Sequence, residues 1–103
     1  MSEAELQEWP DGWGPVLDVR DRRRFREELE REVGEQHILW GATVEVIARS
    51  YRADDILVLL DGSVAEVHLT WTGKREMDSR WPRTGMFRDI EAWLRKHGDA
   101  LTR

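Results

Sequence analysis

The sequence contains no cysteine, which excludes a disulfide framework, a thiolate zinc site and a cysteine nucleophile at the outset. Long apolar runs are missing too. The longest aliphatic stretch, Ile56 to Leu60, is far short of the roughly 20 residues that a membrane-spanning helix needs, so no membrane partner is expected. Met1 to Pro10 is acidic and lacks the basic-then-apolar layout of a secretory signal, which makes a cytosolic location the default expectation. Lys74 and Lys96 are the only lysines, and arginine carries almost all of the positive charge. Excess positive charge is lacking as well: the formal net charge is −5, which opposes nucleic-acid binding unless the basic residues are segregated. Arg20 to Arg31 is instead interleaved with Asp21, Glu27, Glu28 and Glu30.

What is present is enough for a core. Of 103 residues 40% are hydrophobic, and six are tryptophan against one tyrosine and two phenylalanines. That size suits one domain, whereas two would each be too small to bury their apolar surface. Residues 1–17 read as an irregular N-terminal arm, because Trp9-Pro10-Asp11-Gly12-Trp13-Gly14-Pro15 sets turn and breaker residues around two indoles. Residues 18–103 read as a single α+β domain.

Within that domain Asp18 to Val33 has helical periodicity, with Phe25, Leu29 and Val33 four apart and Gly34 placed to terminate it. Thr43 to Ser50 alternates, Asp55 to Leu60 is apolar almost throughout, and Ser63 to Trp71 alternates again. Asp61-Gly62 is a two-residue hairpin turn of the primed type, so these three strands form an antiparallel meander with Ile56–Leu60 in the centre. The polar stretch Thr72 to Arg83 reads as a loop ending in Trp81-Pro82. Thr84 then serves as N-cap of a final helix whose broad apolar face runs through Met86, Phe87, Ile90, Trp93, Leu94, His97 and Leu101. The expected order is α-β-β-β-α, with both helices covering one face of a three-stranded sheet.

Chemistry-bearing residues are few. His97 falls in the last turn of the second helix and completes its apolar face. His37 lies in a loop with nothing local to orient it. His68 sits between Glu66 and Thr70 at period two on the uncovered sheet face, where a carboxylate and an imidazole make a base-and-orienter pair or two thirds of a metal site. A third ligand is not visible, and no metal-binding or phosphate-cradling motif is present, so no metal or cofactor is assigned. Arg75, Arg80, Arg83 and Arg88 around Trp81 form a basic-aromatic cluster that Glu76, Asp78 and Asp89 dilute.

Two surfaces stand out as candidate partner-binding regions. Asp21, Glu28, Glu32 and Glu35 line one flank of the first helix and would attract a protein with a basic surface. The uncovered sheet face presents either Leu57 and Leu59 or Ile56, Val58 and Leu60, beside Ile47 and bordered by Glu66 and His68. Such a patch needs a cover, from the tryptophans of the arm, Leu39-Trp40, a second copy of the chain or a foreign partner.

Gly41 to Arg49, Asp54 to Leu57, Val67-His68-Leu69-Thr70-Trp71 and Trp81-Pro82 together resemble a family of small uncharacterised bacterial proteins. The likeness covers residues 35 to 95 and implies a bacterial origin and a single domain, with no activity or site to carry over. The small, acidic, cysteine-free build is also similar in character to immunity proteins that neutralise bacterial toxins. The expected function is therefore a non-catalytic protein-interaction module, possible as an immunity protein. The alternative is a small-molecule or metal-dependent enzyme centred on Glu66 and His68.

Overall fold

The computed structural model of the protein describes residues 9–72 and 80–98. Met1 to Glu8 of the expected arm, most of the Thr72–Arg83 loop, Arg75 of the basic-aromatic cluster and Leu101 of the expected helix lie outside the described residues.

The first helix, α1, spans Val19–Glu32. Asp18 precedes it in extended conformation, and its carboxylate accepts the Arg20 and Asp21 amides at 2.7 and 3.3 Å. Two of the amides that a helix start leaves open are thereby satisfied. At the other end Val33 returns to extended backbone while its N–H still reaches Leu29 O, so termination does not use a left-handed glycine at Gly34.

The fold is α+β, but the sheet has five strands where three were expected. They are β1 (Trp13–Pro15), β2 (Glu45–Ser50), β3 (Asp55–Leu60), β4 (Ser63–His68) and β5 (Arg83–Phe87), arranged in chain order with every neighbouring pair antiparallel. The hairpin at Asp61-Gly62 forms as its residue types dictate. Both residues have positive φ, 48° and 84°, as a primed turn requires, and Leu60 pairs with Ser63 across it.

Each added strand corrects a specific expectation. β1 lies within the stretch read as irregular, because three residues that include Gly14 and Pro15 carry no detectable alternation. β5 occupies the segment read as the start of the last helix. Met86 and Phe87 share helical spacing with Ile90, yet the register Val67↔Thr84 and Ala65↔Met86 makes them strand residues. The second helix, α2, accordingly begins later and spans Ile90–Gly98, with Asp89 rather than Thr84 accepting a first-turn amide, that of Ala92, at 2.8 Å.

The helices lie on opposite faces of the sheet, which corrects the expectation that they share one. On the first face Val46, Ile56, Val58, Ala65, Val67 and Leu69 pack against Phe25, Leu29 and Val33 of α1 and its end. On the second, Ile47, Ala48, Leu57 and Val64 pack around Trp93 of α2, with Trp9 and Trp13 beside them. The apolar continuity of β3 has this physical origin: a central strand with a helix on either side buries both parities, and Ile56, Leu57 and Val58 are all at most 1% exposed. In β2 the register skips between Val46 and Ala48, a bulge that turns both Ile47 and Ala48 to the α2 side. Simple alternation would instead place Ala48 on the same side as Val46. The face read as uncovered is therefore covered by α2 and two indoles, with Trp13 and Trp93 edge-to-face at 4.9 Å.

Candidate functional site

Because the Asp61-Gly62 turn fixes the β3–β4 register, Asp55 and His68 become direct cross-strand partners at the open end of the hairpin. Their side chains meet, with His68 Nδ1 2.7 Å from Asp55 Oδ1. That bond orients the imidazole and leaves Nε2 without a partner among the described residues. Two residues earlier on the same face, Glu66 Oε1 accepts Trp93 Nε1–H at 2.8 Å and lies 2.9 Å from His97 Nε2. A second carboxylate–imidazole pair thus stands next to the first, with its orientation set by the indole of the α2 core.

β5 supplies the far wall. Arg83 lies opposite His68 and Gly85 opposite Glu66, so the lack of a side chain at Gly85 leaves open space in front of the Glu66 carboxylate. α2 contributes Lys96, whose Nζ sits 5.5 Å from the Phe87 ring centre. Together Asp55, Glu66, His68, Arg83, Gly85 and Lys96 border an open cleft of about 410 Å³. Among the described residues neither Arg83 nor Lys96 forms an ion pair, and Arg83 instead lies over Trp81 at 5.8 Å. The cleft thus holds two carboxylates already committed to imidazoles and two cations free to meet a ligand. Oriented imidazole beside uncommitted cations is an arrangement that can bind an anion and exchange a proton with it.

Glu66 and His68 are the sequence-predicted site residues that the structure brings together. The others separate. Ile47 and Leu57 are 3% and 0% exposed beneath α2 and the indoles, and Leu59 is half-buried, so these side chains form no open apolar face among the described residues. The acidic flank of α1 is likewise corrected. Asp21 and Glu35 are exposed, but Glu28 and Glu32 are 3% and 0% exposed and point inward.

Glu32 Oε1 and Oε2 accept the Thr70 amide at 2.9 and 3.1 Å, and Oε2 accepts that of Trp71 at 2.7 Å. Burial, with Glu28 beside it as the second cause, pushes the Glu32 carboxyl up from 4.5 to about 7, against the opposing effect of the two amides. This pair is a clasp between α1 and the end of β4: it holds Trp71 in left-handed backbone, φ 59°, with its ring 5.7 Å from Phe25.

His37 also proves to be structural. It is 5% exposed, its Nδ1 accepts the Leu39 amide at 3.0 Å and its Nε2 lies 2.8 Å from Pro82 O and 3.2 Å from Thr84 Oγ1. The Leu39 amide is a local partner that sequence reasoning did not identify, whereas Pro82 and Thr84 lie across the chain. Of the cleft residues that sequence reasoning missed, Asp55 carried a usable signal, since counting outward from Leu60↔Ser63 gives Asp55↔His68. Arg83 and Lys96 carried none, as β5 was read as helix.

Among the described residues no group of three or more histidines and carboxylates is placed to hold a metal ion, and no helix is long and apolar enough to cross a membrane. No protein-family model matches this chain, and neither a curated protein nor a solved structure matches it.

Proposed function

We propose that this chain binds a small molecule bearing a carboxylate or phosphate in the cleft between β3, β4, β5 and α2. The ligand's charge meets Arg83 and Lys96, and His68 exchanges a proton with it through Nε2. The observation that carries this reading is the Asp55–His68 pair, 2.7 Å apart, opening onto a cleft that also holds Arg83 and Lys96 without ion-pair partners among the described residues. A surface histidine with no task has no need of a buried-edge carboxylate to fix its ring.

The reading replaces docking through an acidic ridge, because burial of Glu28 and Glu32 removes the ridge on which that idea rested. It keeps the Glu66–His68 neighbourhood but changes the parts: Asp55 orients His68, whereas Glu66 is occupied by Trp93 and His97.

The test is thermal denaturation with inorganic phosphate, citrate and succinate, each against chloride at matched ionic strength. A ligand that binds only the folded state raises the melting temperature, and the rise grows with the logarithm of its concentration above Kd. At least one anion should do so in the native protein and fail to do so in Arg83→Met and Lys96→Met. The reading is refuted if no anion exceeds chloride, or if the rise survives both substitutions.

A further inference from the structure

The burial of Glu28 and Glu32 has an electrostatic consequence for the opposite side of α1. With those two carboxylates turned inward, the exposed charges along Val19–Glu32 are the five arginines Arg20, Arg23, Arg24, Arg26 and Arg31 against Asp21, Glu27 and Glu30. The helix carries a basic outer face on a protein whose net charge is −5.

That face borders a groove. Between α1 and the segment from Leu39 to Val46 lie two adjoining hollows of about 530 and 330 Å³, which share Arg26 and Val44 as lining. Leu29, Val33, Leu39 and Val44 give the groove an apolar floor, and Trp40, 45% exposed, stands at its rim. Arg22 is held by Val16 O at 2.6 Å and by Glu45 at 3.2 Å. Arg23 and Arg26 are exposed, and neither makes an ion pair among the described residues.

The groove also runs beside an open strand edge. β1 pairs only with Ala48 to Ser50 of β2, so the outer edge of β2 at Glu45 and Val46 has no neighbouring strand among the described residues. An unpaired edge next to an apolar channel is the geometry in which an extended segment adds as a further strand, its backbone on the edge and alternate side chains in the channel.

We propose that this groove docks an extended segment of a partner protein in which acidic residues alternate with aliphatic ones. The acidic side chains meet Arg23 and Arg26, the aliphatic ones enter the channel floored by Leu29 and Val44, and the backbone extends the sheet at Glu45 and Val46. A single-stranded nucleic acid would satisfy the arginines but could use neither the aliphatic floor nor the strand edge. A second copy of this chain would have to bring its own arginine-rich helix against this one. The site is separate from the α2-side cleft, on the other face of the sheet.

Fluorescence anisotropy with a labelled octapeptide of alternating glutamate and valine tests this. Matched probes are the lysine–valine peptide, the glutamate–serine peptide and a single-stranded oligonucleotide. The glutamate–valine peptide should bind best, and reversal of both arginines, Arg23→Glu with Arg26→Glu, should weaken it by about tenfold or more. Val44→Pro, which leaves the charges in place, should weaken it too by spoiling the strand edge, while circular dichroism confirms that each variant folds. The phosphate, citrate and succinate response of the cleft should persist in all three substitutions, so failure here is distinguishable from failure there. Three results would overturn the proposal. They are tighter binding of the oligonucleotide, equal binding of the lysine–valine peptide, or concentration-dependent dimerisation that the arginine reversals leave intact.

Discussion

Replacing Glu32 by glutamine isolates the most unusual electrostatic feature of the core. Glu32 is 0% exposed, faces Glu28 on the same helix and accepts amides from Thr70 and Trp71 on the segment packed against it. Glu28 itself is paired with Arg31 at 3.3 Å, and among the described residues no other charged group meets the Glu32 carboxyl. In the folded protein that carboxyl titrates at about 7 instead of 4.5, chiefly through burial. Between those two values the native state keeps a proton that the unfolded chain has lost. A raised acid of this kind contributes stability that is fully present below about 4.5 and is lost as pH rises to about 7. A shift of that size corresponds to about 3 kcal/mol. Glutamine keeps a carbonyl for the Thr70 and Trp71 amides and offers an N–H to Glu28, as the protonated acid does, but cannot ionise. Urea unfolding of both proteins at pH 5 and pH 8 gives four free energies. Their double difference should favour Glu32→Gln at pH 8 by about 2.5 kcal/mol, with the native protein alone losing stability between the two pH values from this source. Parallel pH profiles for the two proteins would refute the reasoning, because titration of groups away from the Glu28–Glu32 pair cancels in the comparison.

Trp93→Ala should cost about 3–5 kcal/mol in chemical denaturation, since it removes a fully buried indole and leaves Glu66 without its 2.8 Å donor. A loss under about 1 kcal/mol would mean that α2 is not needed to cover the second face. Trp9→Phe should be neutral or slightly stabilising by the same measurement, because Trp9 Nε1 is buried with no hydrogen-bond partner among the described residues and phenylalanine carries no donor to desolvate. Marked destabilisation there would show that the indole is held by something other than its ring packing against Trp93.

The parts of the fold that could be read from the residues are those fixed by local chemistry. Asp61-Gly62 admits few conformations other than a tight hairpin, so β3, β4 and their register were legible, and with them the meeting of Asp55 and His68. Asp18 and the Phe25–Leu29 spacing marked α1 for similar reasons. What was not legible depends on contacts distant in the chain. Glu32 is held inside by the amides of Thr70 and Trp71, some forty residues on, and periodicity along a helix carries no trace of them. Thr84 to Phe87 satisfies both a strand and a helix pattern, and only the vacant edge of β4 selects the strand. The side taken by α2 follows from that choice, because a strand at 83–87 delivers the chain to the face opposite α1.

β1 joins the sheet on different terms from its neighbours. β3 and β4 meet across two residues, whereas β1 must wait for β2 while the whole of α1 passes between them, and it gains only three paired positions in return. Closing a long loop for a short ladder makes β1 the element that detaches first when the protein fluctuates. Amide exchange at Val16 and Tyr51, whose bonds to Ile47 O and Gly12 O tie the strand down, should therefore outpace exchange within β3. Trp13 travels with β1, and its ring rests on both Trp93 and His97. Each excursion of the strand would thus unroof α2 and relax the helix that carries Lys96, making a three-residue strand at one end of the sheet the latch on a cleft at the other.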